Sequence, residues 1–112
     1  MKENNLSTKT CKPCEGTEKP LGKIEVTNFF NSLEGWVLTN EETLLYREYK
    51  MKNFMEAIDF INMIAKIAEE QGHHPDLHLI NYKFLKIELS THTIGGLSQN
   101  DFIMAAKINE IL

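Results

Sequence analysis

The chain has 112 residues, a length that suits one domain with a real but modest hydrophobic core. Apolar residues make up 42% and charged residues 25%, which is ordinary for a soluble globular protein. The net charge of −4 argues against a nucleic-acid or anionic-membrane surface, because phosphate binding needs concentrated Lys and Arg, and the longest apolar run, Phe102 to Ala106, is far too short to span a bilayer.

Met1 to Pro20 stands apart from the rest. It holds seven charged residues and only four apolar ones, Met1, Leu6, Cys11 and Cys14, with two of the three prolines. So little apolar surface does not offset the entropy of ordering, and residues 1–20 are expected to be a loosely ordered lead to a folded domain at 21–112. Its start lacks the apolar run of a secretory signal, so the expected location is the cytoplasm, with both cysteines reduced.

Val26, Phe29, Phe30 and Leu33 then sit at i, i+3, i+4 and i+7, one face of a helix, with Gly35 as a stop. Trp36 to Leu38 and Thr43 to Met51 read as strands joined by a turn at Asn40-Glu41-Glu42. Asn53 and Glu56 form an N-x-x-E start for the longest helix, whose apolar stripe is Phe54, Ala57, Ile58, Ile61, Ile64, Ala65 and Ala68. Gly72 suits a left-handed helix end, and Pro75 prevents continuation. Period two follows: a short strand near Leu77 to Ile80 and a longer one near Lys83 to Thr91. After Gly95-Gly96, Ser98 and Asp101 make a capping-box start to a last helix that turns Phe102, Ala105, Ala106, Ile108 and Leu112 to the core. The predicted fold class is α+β, a four-stranded antiparallel sheet with three helices packed on one face.

The candidate chemistry is histidine chemistry. Three of the four histidines, His73, His74 and His78, fall within six residues, and His92 follows downstream. Histidine titrates near neutral pH, with an ordinary pKa of about 6.5, so a cluster at an element boundary is a candidate acid–base site. A packed or solvated role is preferred for His78, which lies within a strand. For His73 and His74 the position beside a helix stop and a proline favours function, because side chains on a tight exit are aimed. A metal site is the rival reading. His74 and His78 have i, i+4 spacing, but Pro75 and the period-two pattern argue against the helix that spacing requires. Cys11-Lys12-Pro13-Cys14 is a lone C-x-x-C pair, which is weak without a second pair of ligands. The expectation is therefore no metal. Asp101 has a purely structural role available at its helix start, and a functional one if the fold brings it to His92.

Taken together, these residues resemble the pterin-4a-carbinolamine dehydratase family. The match runs from about Leu21 to Leu112. It includes Ala68-Glu69-Glu70, His73-His74-Pro75, Tyr82, Leu89-Ser90-Thr91-His92 and Gly96-Leu97-Ser98 followed by Asp101. The resemblance implies three helices on a four-stranded antiparallel sheet, assembled as homodimers or homotetramers. It implies a 4a-hydroxytetrahydrobiopterin dehydratase that eliminates water to give quinonoid dihydropterin. Such an enzyme recycles the pterin used by an aromatic amino acid hydroxylase, its functional partner, and needs no cofactor beyond its pterin substrate. By the same resemblance His74 leads as general acid or base, His92 serves from another side of the ring, and His73 orients the pterin and shares proton work. Asp101 orients a histidine, while Glu69, Ser90 and Thr91 contact the polar pterin edge. Gly72 stands where relatives often carry an acid, and Leu77 where some carry an aromatic. The alternative is a non-catalytic protein-binding module or transcriptional coactivator on the same fold, as some family members assist a homeodomain factor.

Overall fold

The computed structural model describes residues 6–12, 19–39 and 41–111. Within them lie α1 (Lys23–Asn31), β1 (Val37–Thr39), β2 (Leu44–Lys50), α2 (Phe54–Gln71), β3 (Asp76–Ile80), β4 (Phe84–Leu89) and α3 (Gln99–Asn109), with short 3₁₀ turns at Leu6–Thr8 and His92–Ile94. The sheet has four antiparallel strands in the order β1-β2-β4-β3. The predicted fold class is the observed one.

Strand parity sets which face is covered. Leu45 pairs with Leu89, Arg47 with Ile87 and Tyr49 with Leu85, and this inner set includes fully buried leucines and isoleucine. The outer set, Tyr46, Glu48, Lys86 and Glu88, meets solvent, as period-two alternation requires. His78 lies on this outer face, where its Nε2 is 2.8 Å from Glu88 Oε1. The turn between β1 and β2 puts Glu41 and Glu42 at positive φ, and its Asn40 lies outside the described residues.

α2 starts as its capping residues dictate. Asn53 Oδ1 accepts from the Glu56 N–H at 2.8 Å, and Glu56 Oε1 reaches back to the Lys52 N–H at 2.8 Å. Its buried face differs from the predicted stripe. Ala57, Phe60, Ile64 and Ala68 are buried, whereas Phe54 and Ala65 are exposed. The cause is Phe60, which meets Tyr49 of β2 edge-on at 4.9 Å and rotates the helix toward the sheet. Burying such a ring contributes roughly 1.5–3 kcal/mol, enough to set the phase of a stripe whose rim is small or marginal.

α3 is buried on more sides than its predicted stripe allowed. Ile103 and Met104 join Phe102, Ala105 and Ile108 in the core, and Leu112 lies outside the described residues. The second cover comes from the lead. Residues 6–12 are not the loose segment expected of them: Leu6 is 2% exposed, the 3₁₀ turn packs on α3, and Lys107 Nζ donates to Ser7 O at 2.9 Å. Two apolar residues at the right places, Leu6 and Cys11, suffice when an existing helix supplies the other side.

Gly72 ends α2 in the left-handed region, at φ 65°, with its N–H on Ala68 O. A Cβ there meets nothing within 4 Å, so only backbone conformation opposes a side chain. Gly72→Ala is expected to cost about 1–2 kcal/mol. The midpoint of urea unfolding measures it, and a midpoint equal to the parent's contradicts the argument.

Candidate active site

The helix exit determines where the histidine pair goes. The left-handed turn at Gly72 and the His73 N–H, which donates to Ala68 O at 3.2 Å, fold the chain back over the end of α2. His73 and His74 then leave in different directions. His73 Nε2 lies 2.6 Å from Asp101 Oδ1, and the two side chains are 12% and 0% exposed. His74 Nε2 meets Glu69 Oε2 at 2.5 Å on the surface, one turn back along α2.

Asp101 is held from several sides. It is the third residue of α3, where the N-terminal end of the helix dipole favours a carboxylate. Its Oδ2 accepts from the Ser98 N–H at 2.9 Å and from the Thr91 hydroxyl at 2.8 Å. Because the Thr91 proton is spent on Asp101, the Ser98 hydroxyl, 2.8 Å away, donates to Thr91 Oγ1. An ionised carboxylate only accepts, so His73 presents Nε2–H to Oδ1. In the neutral ring Nδ1 then carries the lone pair. A carboxylate beneath a histidine of fixed tautomer is an arrangement suited to proton transfer.

His92 arrives on a separate loop. The Thr91 N–H donates to Gly96 O at 2.9 Å, and the Gly95 N–H to His92 O at 3.1 Å, closing a small loop after β4. His73, His74 and His92 line one open hollow of about 300 Å³, with Ser90 and Thr91 between them. That volume is at the lower end of small-molecule sites, which span about 300–1,000 Å³.

Of the residues singled out from sequence, the structure brings His73, His74, His92, Ser90 and Thr91 to this hollow. Asp101 lies beneath it, and its ring partner is His73 rather than the expected His92. Glu69 is not among the lining residues and instead holds His74. Lys12, Thr93 and Asn100 line the hollow and were not singled out. Asn100 carried a signal, since it neighbours Asp101 in the capping box; Lys12 carried none, because nothing in a sparse lead points to a distant helix. His74 and His78, the pair with metal-ligand spacing, face different partners on different elements. Among the described residues no three His, Cys, Asp or Glu side chains converge as a metal site, and Cys14 lies outside them.

The family model described as pterin 4 alpha carbinolamine dehydratase matches residues 19–111. An Arabidopsis thaliana protein named pterin-4-alpha-carbinolamine dehydratase 2, mitochondrial, is 46% identical over 96% of this chain, which spans 59% of the plant protein's length. A Rickettsia canadensis protein provisionally named for the same activity is 48% identical over 92% of this chain and 94% of its own. Among solved structures, a Brucella melitensis transcriptional coactivator/pterin dehydratase superposes with a TM-score of 0.76 at 30% identity, covering 83% of this chain and 98% of that one. With a family model spanning most of its length and a Rickettsia relative matched nearly end to end, the chain belongs to the pterin 4 alpha carbinolamine dehydratase family, a family of hydro-lyases.

Proposed function

We propose that this chain dehydrates a 4a-hydroxytetrahydropterin to the quinonoid dihydropterin by histidine acid–base catalysis. The observation that carries the reading is the convergence of three imidazoles on one hollow, one of them anchored on a buried carboxylate. The reaction breaks the C4a–O bond and forms a C4a–N5 double bond. The departing hydroxyl takes one proton and leaves as water, while N5 gives one proton up. One acid and one base therefore suffice, and no resident metal or organic cofactor enters the balance.

His74 and His92 take the two proton-transfer roles. They come from separate segments, after α2 and after β4, and so reach a flat ring from different sides. His73, fixed by Asp101, orients the ring and offers Nδ1 as a further proton acceptor. Glu69 acts through His74 as a positioning residue. Ser90 and Thr91 supply polar contacts at the wall. A 4a-hydroxytetrahydropterin substrate supports a role after an aromatic amino acid hydroxylase, and the family resemblance supports a homodimer or homotetramer acting in the cytoplasm. The imidazole convergence favours catalysis over a purely protein-binding role, which has no use for it.

Single-turnover dehydration of 4a-hydroxytetrahydrobiopterin, generated in place by a hydroxylase and followed by absorbance, tests the proposal. A saturable acceleration over buffer is expected. A rate equal to that in buffer at micromolar chain overturns it.

A further inference from the structure

The lead is built into the wall of the site. Asn100, one residue before the carboxylate beneath His73, clasps the Lys12 main chain from both sides. Its Oδ1 accepts from the Lys12 N–H at 2.9 Å, and its Nδ2 donates to Lys12 O at 2.5 Å. The preceding residue is tied to α2, with the Cys11 N–H on Gln71 Oε1 at 2.8 Å, and buried Leu6 anchors the segment on α3. With the Cys11 Sγ on Asn100 O at 3.7 Å, four hydrogen bonds 60 to 89 residues apart in sequence thus hold Cys11 and Lys12 in place. They set Lys12 on the edge of the hollow that holds the histidines. Among the described lining residues Lys12 is the one lysine or arginine, and none is a carboxylate.

We propose that residues 6–12 form an active-site strap and that Lys12 is a substrate-positioning residue, its ammonium donating to an oxygen acceptor of the bound pterin. The inference rests on the pterin reading of the hollow. Because Asn100 occupies the Lys12 main chain, the side chain is the part left to meet a ligand, and an ammonium can only donate. Its counterpart is a carbonyl or hydroxyl oxygen on the heterocycle or its side chain. Removing that donor weakens binding and leaves proton transfer in place.

The test separates binding from turnover. Lys12→Met keeps the length and apolar stem of the side chain and removes the charge. Affinity for 7,8-dihydrobiopterin, a stable pterin, is read by fluorescence titration, and KM and kcat by the dehydration assay. Lys12→Met is expected to weaken the pterin and raise KM about tenfold, the lower end for one charged hydrogen bond at an exposed position, with kcat within about threefold. Lys12→Arg should restore both. Gln71→Ala, which loosens the strap without touching the lining, should raise KM in the same direction by a smaller factor. Unchanged KM and affinity in Lys12→Met, with an active parent chain, overturn the strap proposal alone. A parent chain that neither binds pterin nor accelerates dehydration overturns the pterin reading and the strap with it.

Discussion

Replacing His74 and His92 together with alanine is expected to bring dehydration down to within about tenfold of the rate in buffer. A positioned general acid or base contributes about 10²–10⁴-fold, and this pair holds both roles in the proposed reaction. Each single replacement should lose about 10²-fold, the smaller figure because His73 stands in the same hollow and can relay a proton to water. The double variant should therefore show less loss than the two single losses multiplied. The substitutions are also structurally mild. The His74 side chain is 60% exposed and His92 is exposed, so neither removes core contacts. Surface changes of this kind usually stay within about 0.5 kcal/mol, and urea unfolding should confirm an intact fold beside the lost rate. A double variant that dehydrates at the parent rate removes these two residues from the chemistry.

Most of the elements that position the site were readable in the sequence because each rests on a local device. Asn53 and Glu56 announce the start of α2: Asn53 caps the Glu56 N–H as expected, while Glu56 reaches one residue further back, to the Lys52 N–H, than a capping box requires. Gly72 and Pro75 announce its end, and the backbone there is left-handed as only glycine readily permits. Ser98 and Asp101 announce α3. The alternation through Leu85, Ile87 and Leu89 gives the covered face of β4. What was not readable depends on contacts far apart in the chain. The α2 stripe holds at Ala57, Ile64 and Ala68 but omits Phe60 and adds the exposed Phe54 and Ala65, because Phe60 answers to Tyr49, across the break between β2 and α2. The lead looked too polar to order, since composition counts only what the segment brings and not the groove α3 offers it. Lys12 was missed for the same reason. Which histidine Asp101 meets is not legible either: a nine-residue spacing only permits His92, whereas the fold of the α2 exit delivers His73 from 28 residues away.

Asp101 is where stability and chemistry meet, and its replacement separates them. Asp101→Ala leaves three donors without an acceptor: His73 Nε2, the Thr91 hydroxyl and the Ser98 N–H. Each buried donor left without an acceptor costs about 1–3 kcal/mol, and the lost helix-start contact is part of that sum. Against a typical domain stability of about 5–15 kcal/mol, this variant should unfold at much lower urea and be recovered only in small yield. Asp101→Asn keeps the volume and one oxygen. If that oxygen stays on Thr91 and Ser98, the amide NH₂ faces His73, and two donors cannot face each other. His73 must then accept through Nε2 and carry its proton on Nδ1. The ring keeps its place and loses the lone pair at Nδ1. Asp101→Asn is therefore expected to unfold nearer to the parent than Asp101→Ala and still to lose about 10²-fold in dehydration rate. The tautomer is read directly from the ¹⁵N shifts of the His73 ring, which should exchange their protonated and unprotonated signatures. An Asn variant with parent activity and an unchanged His73 tautomer would confine Asp101 to holding the start of α3.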